Sequence, residues 1–336
     1  PGAFGAVSFL EVDSLGRVWV FDDYAREIRV FDQDGRFLKT VGGPGEGPGE
    51  FTMVIGMSWS PHGDLWVLDP GTMRFNVFDS AGMYRTSHRI DGGSIIIPWP
   101  GGFDRLGRLH HYARRSREDG EGFELVMVRY QPVLSAGGAL VPSDTLGIPD
   151  LEHPDPIELQ VDRRYRSTPV PFAPSPTWHL SPDGEIWFTE ADAYALVRLN
   201  AQGDTLLLVA KESDSTLVTQ EEMDEAMAEL AWFTDAGGRI DPGRIPKHKP
   251  ALRDFFFGDN GRIWVLPSEE EKSPRPVLDL FEADGRYLGK VEVPFPIRTN
   301  PAPIIRDGLF YAVSTDEFDL PYVVRARFSP DPEGFE

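Results

Sequence analysis

The sequence predicts an all-β chain folded as a six-bladed β-propeller with four-stranded antiparallel blades, and three observations predict it. A turn closed by glycine and followed by a short apolar strand with an aromatic recurs six times. Its glycines, Gly16, Gly63, Gly107, Gly184, Gly261 and Gly308, lie 47, 44, 77, 77 and 47 residues apart, so three gaps share one period and two carry extra chain. Gly 34 and Pro 30 in 336 residues demand many turns, while stretches of helical period are scarce. A repeat in the mid-forties with four short strands per unit is the mark of propeller blades.

The elements follow in order. Each glycine closes a hairpin that needs positive φ, as in Ser14-Leu15-Gly16 and Pro182-Asp183-Gly184. A second set of turns, ending at Gly35, Gly82, Gly203 and Gly285, joins strands three and four. Trp19, Trp66, Trp187 and Trp264, with Tyr311, occupy one strand position and are expected to pack between blades; His110 stands in that column in blade three as an aromatic substitute. The chain divides as one domain, 1–336, with blades near 1–43, 51–90, 94–131, 172–210, 251–294 and 299–330. Insertions fill 132–175 and 211–250. The second insertion holds one helix: Thr219 caps it, Glu222 completes a capping box, and Met223, Ala226, Met227, Leu230 and Ala231 form an apolar stripe. That stripe either packs on the rim or faces a ligand as a lid.

At Val41-Gly42-Gly43-Pro44-Gly45-Glu46-Gly47-Pro48-Gly49-Glu50-Phe51, followed by Leu65-Trp66-Val67-Leu68-Asp69 and Arg74-Phe75-Asn76-Val77-Phe78-Asp79, the chain resembles an NHL repeat. The resemblance covers roughly two-thirds of the chain and implies six blades. It also implies a structural ion pair between Asp69 and Arg74. NHL-like propellers include lyases, lactonases, peptide-processing enzymes and binding modules, so the likeness sets no single activity.

Alternating strand direction puts both insertions, each between a fourth and a first strand, on the face opposite the short glycine turns. That face is the expected working face, because long loops on a rigid scaffold commonly carry function. The residues expected to contact ligand are Arg26, Arg74, His111 and the basic cluster Arg163-Arg164-Tyr165-Arg166. Asp22, Asp69 and Glu190 end their second strands near the rim and could hold a hard cation such as Ca²⁺; ion pairing with Arg26 and Arg74 is the alternative. His88 and His179 are the candidate general bases, His88 with His153 and His248 in loops of the working face and His179 lining the channel. No nucleophile elbow, zinc-protease helix or phosphate loop is present in the sequence.

A formal charge of −21, from 54 acids against 33 bases, disfavours nucleic acid and anionic lipid. There is no apolar run long enough to span a bilayer. The absence of cysteine excludes disulfides and thiolate chemistry and fits an extracytoplasmic location, periplasmic or secreted. Blade six shows three strands, which leaves an edge for a strand-donating partner or a homo-oligomer. Two functions are therefore expected. One is an exported binding or assembly module for a small molecule, glycan or peptide; the other is a metal-assisted, lactonase-like hydrolase or lyase using rim carboxylates and a histidine.

Overall fold

A computed structural model of the chain describes residues 3–90, 98–116, 122–133, 135–161, 164–270 and 272–327. Blade one is β1 (Val7–Val12), β2 (Val18–Asp22), β3 (Glu27–Phe31) and β4 (Phe37–Val41). Blade two is β5 (Gly56–Trp59), β6 (Leu65–Asp69), β7 (Arg74–Phe78) and β8 (Tyr84–Arg89). Blade three is β9 (Gly102–Phe103), β10 (Arg108–Ser116), β11 (Phe123–Pro132) and β12 (Pro142–Leu146), and a two-stranded ribbon, β13 (Ile157–Val161) and β14 (Arg164–Thr168), follows it. Blade four is β15 (Thr177–Leu180), β16 (Ile186–Thr189), β17 (Ala195–Leu199) and β18 (Thr205–Ala210), after which come helices α1 (Gln220–Glu229) and α2 (Ala231–Asp235). Blade five is β19 (Leu252–Phe257), β20 (Ile263–Pro267), β21 (Val277–Phe281) and β22 (Tyr287–Glu292). Blade six is β23 (Ile304–Arg306), β24 (Leu309–Thr315) and β25 (Pro321–Arg327), three strands among the described residues. Every blade is an antiparallel meander in sequence order. The chain is a six-bladed β-propeller.

The ring closes through six apolar clusters, one at each blade junction. Trp19 and Phe21 meet Leu65 and Val67 between blades one and two. Trp66 and Phe75 meet Leu109 and Tyr130 across the next junction. Tyr112 meets Ile186, Trp187 meets Phe255, Trp264 meets Phe310, and Tyr311 meets Val18 and Val20 of blade one. The aromatic column therefore fills five of the six wedges between blades, and Tyr112, two residues past His110, fills the wedge between blades three and four, the burial that holds a ring of sheets together. All six turn glycines lie at φ between 72 and 83°, where a side chain would be strained.

The column also explains the turn before it. In blade one, the Asp13 carboxylate accepts from Leu15 N, Arg17 N and the Trp19 indole, the last at 2.9 Å. In blade three, Asp104 accepts from Leu106 N and Arg108 N, and His110 Nε2 takes the place of the indole at 3.0 Å. His110 is thus a structural substitute.

Blade three differs from the sequence expectation. Its outer strand is β12, inside the stretch read as insertion, because Pro142-Ser143-Asp144-Thr145-Leu146 is polar enough to resemble a loop. An outermost strand faces solvent and needs few apolar residues.

Hydrogen bonds stitch the turn face. Arg105 N donates to Pro182 O of blade four at 2.9 Å, and its guanidinium bonds Asp183 and reaches Asp259 O of blade five. Asp307 N donates to Asp259 Oδ2 at 3.0 Å, and Arg306 Nη1 donates to Val12 O of blade one at 2.7 Å.

Candidate functional site

The opposite face carries the second-to-third and fourth-to-first connections. Both long excursions lie there, since one runs from β12 to β15 and the other from β18 to β19. They pack on each other. Ile157 and Val170 of the first excursion bury against Phe233 and Ile245 of the second, with Leu159, Phe172, Met223 and Met227 around them. The capping box of α1 forms as expected, Glu222 N donating to Thr219 Oγ1 and Thr219 N to Glu222 Oε2. The methionine stripe packs into this shared core.

Beside it lies a cleft of about 370 Å³, walled by Val170, Pro171, Phe172, Ala226 and Leu230. Its rim charges are paired, Lys249 with Glu222 and Lys272 with Glu229. A neighbouring cavity of about 310 Å³ shares Pro250 and Glu269 in its wall. At its base the buried Asp279 carboxylate accepts from Lys211 Nζ at 2.7 and 2.8 Å, from Tyr194 Oη at 2.6 Å and from Tyr287 Oη at 2.9 Å. Lys211 Nζ sits 5.1 Å from the centroids of both tyrosine rings. Burial and the Asp279 carboxylate raise the Tyr194 hydroxyl far above its usual range and push Tyr287 up to about 12. The cluster ties blade four to blade five and is complete in itself. Sequence reading missed it, although Asp279 occupies the strand-three position of Arg29 and Asn76, a recurring polar place.

A third opening, about 610 Å³, lies at the channel mouth against Val7, Ser8, Phe9, Met53, Ile55 and Arg298. Below it, the residues paired with the aromatic column form one level of the channel wall: Glu11, Ser58, Gly102, His179, Phe256 and Ile304. His179 Nε2 lies 2.8 Å from Asp254 Oδ1 of blade five, which also accepts from Phe255 N. Burial pushes the Glu11 carboxyl up to about 8, against the opposing pull of Arg306 and a backbone bond from Val12.

The expected rim residues do not converge. Asp22 accepts from Gly5 N and Ala6 N, with Arg29 at 3.3 Å. Asp69 accepts from Thr52 N, Thr52 Oγ1, Met53 N and Thr72 N. Both carboxylates therefore anchor the chain entering the first strand, whose amide hydrogens need acceptors. The ion pair expected between Asp69 and Arg74 is not formed; Arg74 Nη2 instead donates to Glu46 O at 3.0 Å. Glu190 is exposed. Among the described residues no three His, Asp or Glu side chains are grouped to hold a metal, so Asp22, Asp69 and Glu190 do not fit a Ca²⁺ site.

The other candidates scatter. Arg26 is exposed in a turn. His88 is on the outer strand β8 rather than in a loop, stacked on Trp66 at 4.7 Å with Nε2 2.6 Å from Ala136 O. His111 is 1% exposed, edge-on to Phe75, and burial drives its pKa down to about 4, so it is closed to ligand. Arg163 lies outside the described residues, and so does the side chain of Arg164. Tyr165 and Arg166 are exposed on β14, and Glu158 holds the Tyr165 hydroxyl above its usual range. None of the described side chains among these lines the three cavities.

A family model described as a 6-bladed beta-propeller, DUF5128, matches residues 3–90. No curated protein matches the sequence. Among solved structures, virginiamycin B lyase from Staphylococcus aureus is 13% identical with a TM-score of 0.42, covering 94% of this chain and 83% of that one. A gluconolactonase from Xanthomonas campestris is 11% identical at a TM-score of 0.45, covering 95% and 86%. Regucalcin, a calcium-binding protein from Agrobacterium tumefaciens, is 13% identical at 0.43, covering 98% and 94%. Such likeness says nothing of chemistry. Among the described residues no helix is long and apolar enough to cross a membrane.

Proposed function

We propose that this propeller is an exported binding module that holds a small molecule, glycan or peptide at the face bearing its two excursions. One observation carries the reading: the excursions share a core of their own and frame a cleft with an apolar floor and a charged rim. Clefts of a few hundred Å³ with apolar walls and a few polar groups are the usual form of ligand sites. The turn face offers less, since Arg105 and its neighbours lace it from blade to blade. A thermal-shift screen with peptides, oligosaccharides and small organic acids tests the proposal. At least one class raises Tm, and Leu230→Arg, which fills the cleft, removes that rise while the unliganded circular dichroism stays unchanged. Hits indifferent to Leu230→Arg, or a panel without hits, contradict it.

Self-association belongs to the same reading, because β25 has a free outer edge among the described residues and a second copy could add a strand there. Sedimentation velocity across a concentration series gives dimer; monomer throughout removes this part of the proposal.

A further inference from the structure

We propose that the cleft beside the shared core of the excursions takes a neutral, largely apolar compound carrying a hydroxyl, such as a phenol, and that Ser268 selects it. The inference rests on the reading of that cleft as the binding site and names the chemistry it accepts.

The buried hydroxyls set the class. Ser268, the residue after β20, lines the cleft and is 8% exposed, and its hydroxyl is buried without a hydrogen-bond partner among the described residues. Native proteins seldom leave such a group unpaired, because it has given up water and gained nothing. Thr168, 5% exposed at the end of β14, is a second hydroxyl residue in the same wall. The two come from different parts of the chain, one from the first excursion and one from blade five. A hydroxyl both donates and accepts, which matches a neutral ligand hydroxyl on either role.

The charged groups point the same way. Glu222, Glu229 and Glu269 line the cleft with Lys249, Arg253 and Lys272, so the local charge sums to zero. Each is already engaged: Glu222 with Lys249, Glu229 with Lys272, Glu269 with Thr216 Oγ1 at 3.2 Å, and Arg253 within the fold. A charged ligand would break one of these pairs or sit uncompensated. An anion is also repelled by the chain's net charge of −21. An oligosaccharide would bring more hydroxyls than this wall can match.

The rest of the cleft suits a ring. Pro171 and Phe172 of the first excursion and Ala226 and Leu230 of the second supply apolar wall. Phe172 holds φ at 58°, a region that a bulky side chain rarely enters and that costs energy. The first excursion thus carries backbone strain at a residue of the cleft wall. A volume of about 370 Å³ accommodates one aromatic ring with a short substituent, the ring packing on apolar wall while its hydroxyl pairs with Ser268.

The test compares p-ethylphenol, ethylbenzene and the p-ethylbenzoate anion, which share one ring and one ethyl group, by ligand-observed NMR titration of the full chain. The phenol binds about 10-fold more tightly than the hydrocarbon, the worth of one hydrogen bond to a buried partner, and more tightly than the benzoate. Ser268→Ala brings the phenol down to the affinity of the hydrocarbon and leaves the hydrocarbon unchanged. It does not lower the Tm of the free protein, since no hydrogen bond within the fold is lost. Leu230→Arg removes binding of the whole series. A parent protein that binds phenol and hydrocarbon alike, a phenol preference that survives Ser268→Ala, a benzoate that binds tightest, or a Ser268→Ala protein that melts lower without ligand overturns the proposal. Should none of the three bind while a peptide or oligosaccharide binds and is lost in Leu230→Arg, the ligand class is wrong and the cleft remains the site. Should nothing bind, the reading of the cleft falls as well.

Discussion

His111 stands on β10 with both ring nitrogens buried and without hydrogen-bond partners. Burial disfavours its charged form, so its folded pKa of about 4 lies below the ordinary 6.5. Between those values the unfolded chain binds a proton that the folded chain does not. Stability therefore falls as pH drops from about 6.5 to 4, by about 3 kcal/mol at 1.36 kcal/mol per unit. His111→Leu should flatten the acid side of a Tm-against-pH curve. Glu11 acts with the opposite sign: its folded pKa is raised, so its contribution is complete below pH 4.5 and lost as pH climbs toward 8. Glu11→Gln should flatten the alkaline side. At Asp279, removal of the carboxylate leaves Lys211, Tyr194 and Tyr287 with unmatched donors, and Asp279→Ala is expected to cost about 3 kcal/mol in urea unfolding, Lys211 being partly hydrated. A loss below ~1 kcal/mol would show that the cluster contributes little to the blade junction.

At the scale of elements, the excursions are a satellite core beside the ring. Thr219→Ala removes the capping box and should cost about 1 kcal/mol, read as faster amide exchange confined to α1. Phe233 is fully buried in the shared core, and Phe233→Ala should open both excursions to protease while the blades keep their protection. Cleavage of only the second excursion would mean that the two do not support each other. The helix was legible because its cap, its box residue and its stripe are local in sequence. Strand β12 was not, since an outermost strand needs no apolar pattern. His88 was displaced for a related reason: its strand runs on to Arg89, past the last apolar residue, and His88 stacks on Trp66.

At the scale of the molecule, the ring was the most legible feature. Six turns with one chemistry fix the blades, and the aromatic column marks five of the six junctions from a single strand position, Tyr112 filling the one between blades three and four. The candidate site was much less legible. His179 meets Asp254 across 75 residues, and Glu11 feels Arg306 from the far end of the chain. Such pairs exist only once the ring has closed. Asp69 misled because its partners are backbone amides of a distant loop, which leave no trace in residue identity. The account of function requires that both excursions cover the same opening. The native chain lacks cysteine, so the double variant Leu159→Cys and Met227→Cys carries the only thiols. Treatment of the folded monomer with a short bismaleimide, read by intact mass and peptide mapping, is the most direct check. The structure predicts rapid intramolecular cross-linking of ribbon to helix, lost in urea; two singly capped thiols with no cross-link would place the excursions apart and contradict it.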